Sequence, residues 1–140
     1  MSDNQAGVAG SGRIVDGYGD DYTLDRLQGW LDNSQANPHE GVDAKFTADM
    51  WHVFDAAGNL LLRKHSDYGP LNVARSPGGP LNGLRVRMWD KIARINNLLD
   101  SGVKPSNESL RDSFIDLLNY SAIAIMVIDR NWPELPGDDK

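Results

Sequence analysis

The sequence contains no cysteine. That excludes a disulfide framework, a thiol nucleophile, thiolate zinc sites and iron–sulfur clusters, and it fits a reducing compartment. No apolar run approaches the ~18 residues of a membrane span. Residues 1–12 lack the basic and apolar regions of a secretory signal, so the chain reads as cytoplasmic, with no membrane partner. Basic residues are the minority, 14 Lys and Arg against 20 Asp and Glu, for a net charge of −6. That balance argues against an extended nucleic-acid surface. There is also no P-loop, no HExxH zinc motif, no GxSxG nucleophile elbow and no EF-hand loop. What remains is an ordinary globular composition over 140 residues, long enough for one domain to bury a core unaided.

The net charge hides an asymmetry. Between positions 63 and 94 lie seven cations (Arg63, Lys64, Arg75, Arg85, Arg87, Lys91 and Arg94) and two acids, Asp67 and Asp90. The segment is therefore +5 and the rest of the chain −11. A compact basic centre in an acidic protein suits a small polyanion better than a long duplex. Arginine dominates, and its planar fork matches phosphate oxygens. The plainer alternative is that these cations only balance surface acids.

Residues 1–20 hold five of the fourteen glycines and read as a flexible arm, with Tyr18 and Tyr22 docking at its end. Thr23 is placed to cap a short helix carrying Leu24, Leu27, Trp30 and Leu31, followed by a loop over 33–41. A clear helical stripe then runs through Phe46, Met50, Val53, Ala57, Leu60, Leu61 and Lys64. It starts near Asp43 and ends near His65, with Gly58-Asn59 predicting either a kink or a break. Positions 66–84 carry four glycines and three prolines, and read as a long loop of the kind that is often functional. A helix follows over about 86–99 with stripe Met88, Ile92, Ile95 and Leu99. Ser106 is a good N-cap for a last helix over about 107–129, with stripe Leu110, Phe114, Leu117, Leu118, Ser121, Ile125 and Ile128. Residues 133–140 read as a polar tail. No strand alternation appears, so the expected fold is an all-α bundle of about four helices over 21–132.

Two of these helices carry matching polar triplets, Asp90/Arg94/Asn97 and Asp112/Asp116/Asn119, with Glu108 one turn before the second. The second triplet's face continues as Ile123 and Met126, so it is expected to look inward. If the helices pack antiparallel, the triplets meet in one pocket. Glu108, Asp112 and Asp116 would then hold Mg²⁺, which prefers hard oxygen ligands. Asp90 would join Asp112 and Asp116 in activating water for attack on phosphorus. The alternative is an interhelical salt-bridge network or a solvated face. The run Lys64-His65-Ser66-Asp67-Tyr68-Gly69 offers a cation, a histidine suited to acid or base chemistry and a tyrosine able to stack on a base. It equally suits a plain helix C-terminus, with Lys64 and His65 complementing the dipole and Gly69 ending the turn. Arg85 and Arg87 stand where they can reach phosphates.

Three blocks carry a resemblance: Lys64–Gly69 (KHSDYG), Arg87–Leu98 (RMWDKIARINNL) and Glu108–Tyr120 (ESLRDSFIDLLNY). In this order they resemble the first of the nucleotide modification associated domains, small helical proteins common in phages, over about 46–127. The resemblance implies a protein linked to nucleotide or DNA modification. The chain is also similar, more distantly, to all-α nucleoside triphosphate pyrophosphatases of the MazG type. Those carry ExxE on one helix and ExxD on the next; here the first helix offers only Asp90.

Three readings follow. In the first, Lys64, Arg75, Arg87, Lys91 and Arg94 bind a (deoxy)nucleotide phosphate, with Asp67, Asn97, Asn119 and Tyr120 completing the substrate site. Tyr68 and His65 contact base or sugar, and the carboxylates with Mg²⁺ release phosphate or pyrophosphate. In the second, the protein binds or sequesters a nucleotide without catalysis. In the third, the inward polar face is the contact of a helical interaction module, such as a homodimer.

Overall fold

The computed structural model describes residues 13–15, 21–23 and 41–137. The expected helix after Thr23, the loop over 33–40, most of the 1–20 arm and residues 138–140 lie outside them. Two short strands, β1 (Arg13–Val15) and β2 (Asp21–Thr23), pair antiparallel with Ile14 opposite Tyr22. Thr23 is the last residue of β2. Apart from this pair, the described elements are all helical, as expected: α1 (Ala44–Tyr68), α2 (Leu71–Ala74), α3 (Pro80–Ser101) and α4 (Leu110–Ile128). None is long and apolar enough to cross a membrane.

The chain divides into two units at Ala56. The first contains β1, β2 and the beginning of α1. The second, from Ala57 onward, contains the rest of α1 with α2, α3 and α4, and the site described below lies wholly within it.

α1 passes through Gly58-Asn59 without a break. A mid-helix glycine costs roughly 1 kcal/mol against alanine. Flanking Ala56 and Ala57, both buried, and the Leu60-Leu61-Leu62 run favour helix on either side. The helix ends three residues beyond His65, at Tyr68, and is followed by Gly69, whose φ of +66° suits glycine and whose N–H donates to His65 O at 2.8 Å.

The expected loop over 66–84 is largely structured. Pro70 opens the single turn of α2, and Pro80 begins α3 six residues earlier than its apolar stripe predicts. Proline is well tolerated there, because a first-turn N–H has no helical partner. Gly83 allows the turn to close on the helix. A Cβ at this position would stand 2.5 Å from both Cβ and Oγ of the buried Ser76. The true loop shrinks to Arg75–Gly79, where Gly78 and Gly79 both have positive φ.

α4 starts three residues later than Ser106 predicts. Its cap is Ser109, whose Oγ accepts from Asp112 N–H at 3.1 Å, while Asp112 Oδ2 accepts from Ser109 N–H at 2.8 Å. This reciprocal capping box satisfies two otherwise orphaned amides.

The core of the second unit is built from Val73, Ala74, Leu84, Ile123, Val127, Trp132 and Leu135. Trp132 lies at the end of the expected 21–132 domain, and Leu135, three residues further on, is buried with it. The chain turns back after α4, with Asn131 N–H donating to Met126 O at 2.8 Å, and packs its final apolar side chains inward. Burying a Trp and a Leu outweighs the turn-forming tendency of Pro133 and Pro136.

Candidate functional site

α1 and α4 present side chains at the same helical spacing to a shared cavity. α1 gives Leu61, Lys64, His65 and Tyr68; α4 gives Asp116, Asn119, Tyr120 and Ile123. Steps of three, four and seven residues keep each set on one side of its helix. α3 contributes Arg87, α2 contributes Asn72 and Val73, and Trp132 closes one wall. The cavity measures about 340 Å³, the small end of the range for small-molecule sites.

Asp116 is buried, yet it is ionised by two lysines from two helices. Lys64 Nζ donates to its Oδ1 at 2.9 Å and Lys91 Nζ lies 2.7 Å from its Oδ2. Burial pushes the Asp116 carboxyl up, but the hydrogen bonds from Lys64 and Lys91 and their charges outweigh it and hold it below the usual range. Burial likewise opposes the charge of Lys91, and its bonds to Asp116 and Glu108 raise it above the ordinary lysine value nonetheless.

Behind the cavity, α3 and α4 are joined by a polar lattice. Arg94 donates to Ser113 Oγ at 2.5 Å and to the backbone carbonyls of Ser109 and Glu108. Ser113 is fully buried. Lys91 Nζ also donates to Glu108 Oε2 at 2.9 Å.

Inside the cavity the polar groups are less well served. Among the described residues, His65 Nδ1 and Asn119 Nδ2 are buried and have no hydrogen-bond partner. His65 is held edge-on against the Trp132 ring, centroids 5.0 Å apart, while Trp132 Nε1 donates to Pro70 O at 3.0 Å. Arg87 donates to the backbone carbonyl of Asn72 at 2.8 Å. Among the described residues no carboxylate pairs with it. Tyr68 stands at the rim, 69 % exposed.

Seven of the residues singled out in the sequence therefore share one cavity: Lys64, His65, Tyr68, Arg87, Asp116, Asn119 and Tyr120. Lys91 and Arg94 stand behind it and brace α4. The expected meeting of the two triplets does not occur. At 100° per residue Asp90 lies a full step away from Lys91, which is the side chain that faces α4. Asp90 and Asn97 are exposed, as are Asp67 and Arg75, and none of the four lines the cavity.

Each carboxylate expected to hold Mg²⁺ has a protein partner. Glu108 is taken by Lys91, Asp112 by the α4 cap and Asp116 by two lysines. Ser109 holds the Asp112 carboxyl below its usual range through its hydroxyl and, against a smaller opposing effect of burial, its backbone N–H. Among the described residues no group of three or more His, Cys, Asp or Glu side chains is placed to hold a metal ion.

Sequence reasoning missed Asn72 and Trp132. Asn72 lies in the stretch read as loop. Trp132 lies beyond the last helix, and the signal available was a tryptophan at the very end of the expected domain, just before the tail.

The α3–α4 hairpin that supplies Arg87, Lys91, Asp116 and Asn119 is also where the comparison with known families falls. Residues 81–128 match the family nucleotide modification associated domain 1. This is the family whose blocks the sequence resembles, and the match contains two of the three, Arg87–Leu98 and Glu108–Tyr120. The name of nucleotide modification associated domain 1 links the matched segment to nucleotide modification. The Lys64–Gly69 block, which completes the cavity from α1, lies outside it. No curated protein and no solved structure matches the chain.

Proposed function

We propose that the second unit binds a single nucleotide in the cavity between α1 and α4. The observation that carries this reading is the buried, unpartnered Asn119 Nδ2 on a wall shared with Lys64 and Arg87. Leaving a buried donor unsatisfied costs roughly 1–3 kcal/mol, and a ligand acceptor would recover it. A base or sugar supplies such acceptors. Phosphate oxygens suit the guanidinium of Arg87 and the ammonium of Lys64. Tyr68 at the rim offers a ring face for stacking, and Tyr120 and Trp132 give the cavity aromatic walls. The size admits one mononucleotide rather than an extended strand. The family name agrees with a nucleotide-directed role.

Binding is favoured over hydrolysis. Each carboxylate expected to hold Mg²⁺ already has a partner, so in this reading nucleotide binding is independent of the metal and the ligand is returned intact. The test is calorimetry with a panel of ribo- and deoxynucleotides, with and without Mg²⁺, followed by chromatography of the recovered ligand. Saturable binding that Asn119→Leu abolishes supports the site. Mg²⁺-dependent turnover would replace it with the pyrophosphatase reading, and no binding at millimolar concentration would remove both.

A further inference from the structure

The cavity's charges are unequal in a way that selects among phosphates. Lys64 and Lys91 are balanced by Asp116 and Glu108, so the cation in excess at the cavity is Arg87. Lys64 is 45 % exposed at its side chain and lines the cavity; Lys91 is 19 % exposed, stands behind it and is tethered a second time by Glu108. Lys64 is therefore the lysine able to leave. Arg87 adds a second cation on the cavity wall, bonded, among the described residues, to the neutral carbonyl of Asn72.

Resting on the nucleotide reading above, the geometry points to a ligand ending in a phosphate monoester, met by Lys64 swinging off Asp116 and by Arg87, while Lys91 stays on Asp116. A monoester carries about −1.5 to −2 at neutral pH, which two cations match, whereas the phosphodiester of a strand carries a single charge per phosphate. Lys91 is then a positioning residue. Without it, Asp116 would be a buried carboxylate with Lys64 as its one remaining partner, and breaking that last pair is strongly unfavourable. Lys64 would be locked in place.

The test is calorimetry on the full chain with four probes: a nucleoside, its 5′-monophosphate, the methyl ester of that phosphate and a short single-stranded oligonucleotide. The monophosphate is expected to bind at least about tenfold more tightly than its methyl ester. In Lys91→Met that ratio falls toward one, with thermal denaturation confirming that the variant is folded. If Lys91→Met does not fold, Lys64→Gln, changed at the half-exposed lysine, must collapse the same ratio. Equal affinity for monoester and methyl ester, or tighter binding of the oligonucleotide, overturns the phosphate inference and leaves the nucleotide site standing. Failure of all four probes to bind overturns the site itself and the inference with it.

Discussion

The two ends of the inward face of α4 differ sharply. Toward the N-terminus the polar groups are met: the buried Ser113 by Arg94, the exposed Glu108 and Ser109 carbonyls by the same guanidinium, and the buried Asp116 by two lysines. One turn further on, Asn119 Nδ2 and, across the cavity, His65 Nδ1 have no partner among the described residues. Both ends hold buried polar groups and are lined by side chains from several helices. A satisfied network fixes how helices sit, whereas unsatisfied groups beside a cavity keep their hydrogen-bonding capacity for something else. Asp116 is the joint, since it closes the lattice with Lys91 and opens the cavity with Lys64.

This contrast can be broken by mutation. The largest effect is expected from Asp116→Ala, which strands Lys91 and Lys64 around a missing charge. It should cost about 3–5 kcal/mol in chemical denaturation, and a loss under 1 kcal/mol would show that the lattice does not hold the helices. Acid should act next. Asp116 and Asp112 are both held below their ordinary values. Their contribution is thus complete above the unfolded aspartate value of about 3.9 and is lost as pH falls through the lower folded values. Thermal melting should therefore drop steeply below about pH 4, and the Asp116→Asn variant should show a shallower drop from a lower starting point. Ser113→Ala removes one partner of Arg94 but leaves it two carbonyls, so about 1–2 kcal/mol is expected. The smallest loss of stability belongs to the other end. Asn119→Leu should cost nothing and can stabilise by up to about 1–3 kcal/mol, because it removes a buried donor with no bond to lose, while nucleotide binding disappears. A large loss of stability there would place Asn119 with the scaffold.

Much of the fold was legible because its signals are local. The α4 stripe and the glycine ending α1 each follow from a few neighbouring residues. The boundaries that shifted did so for tertiary reasons. Gly83 looked like loop composition, yet it is the close-approach point that lets α3 begin at Pro80 against Ser76. Ser106 and Ser109 are both good caps in isolation, and Asp112 decides between them. At the site, the polar residue types were readable but their partners were not. Asp90 and Lys91 are adjacent in sequence and point a helical step apart, so a small error in the assumed packing direction exchanges a carboxylate cluster for a lysine-neutralised aspartate. Trp132 and Asn72 entered the cavity through chain reversals that carry no periodic signal.

The reversal after α4 also bears on how the protein can be handled. Trp132 Nε1 is tied to Pro70 O, and its indole is one wall of the space beside His65. A version trimmed after Ile128, where the last helix ends, would lose that wall and two core side chains together. Such a truncated domain would expose His65 to bulk water and present a shallower hollow than the intact chain, so a negative binding result obtained with it would say little about the protein itself.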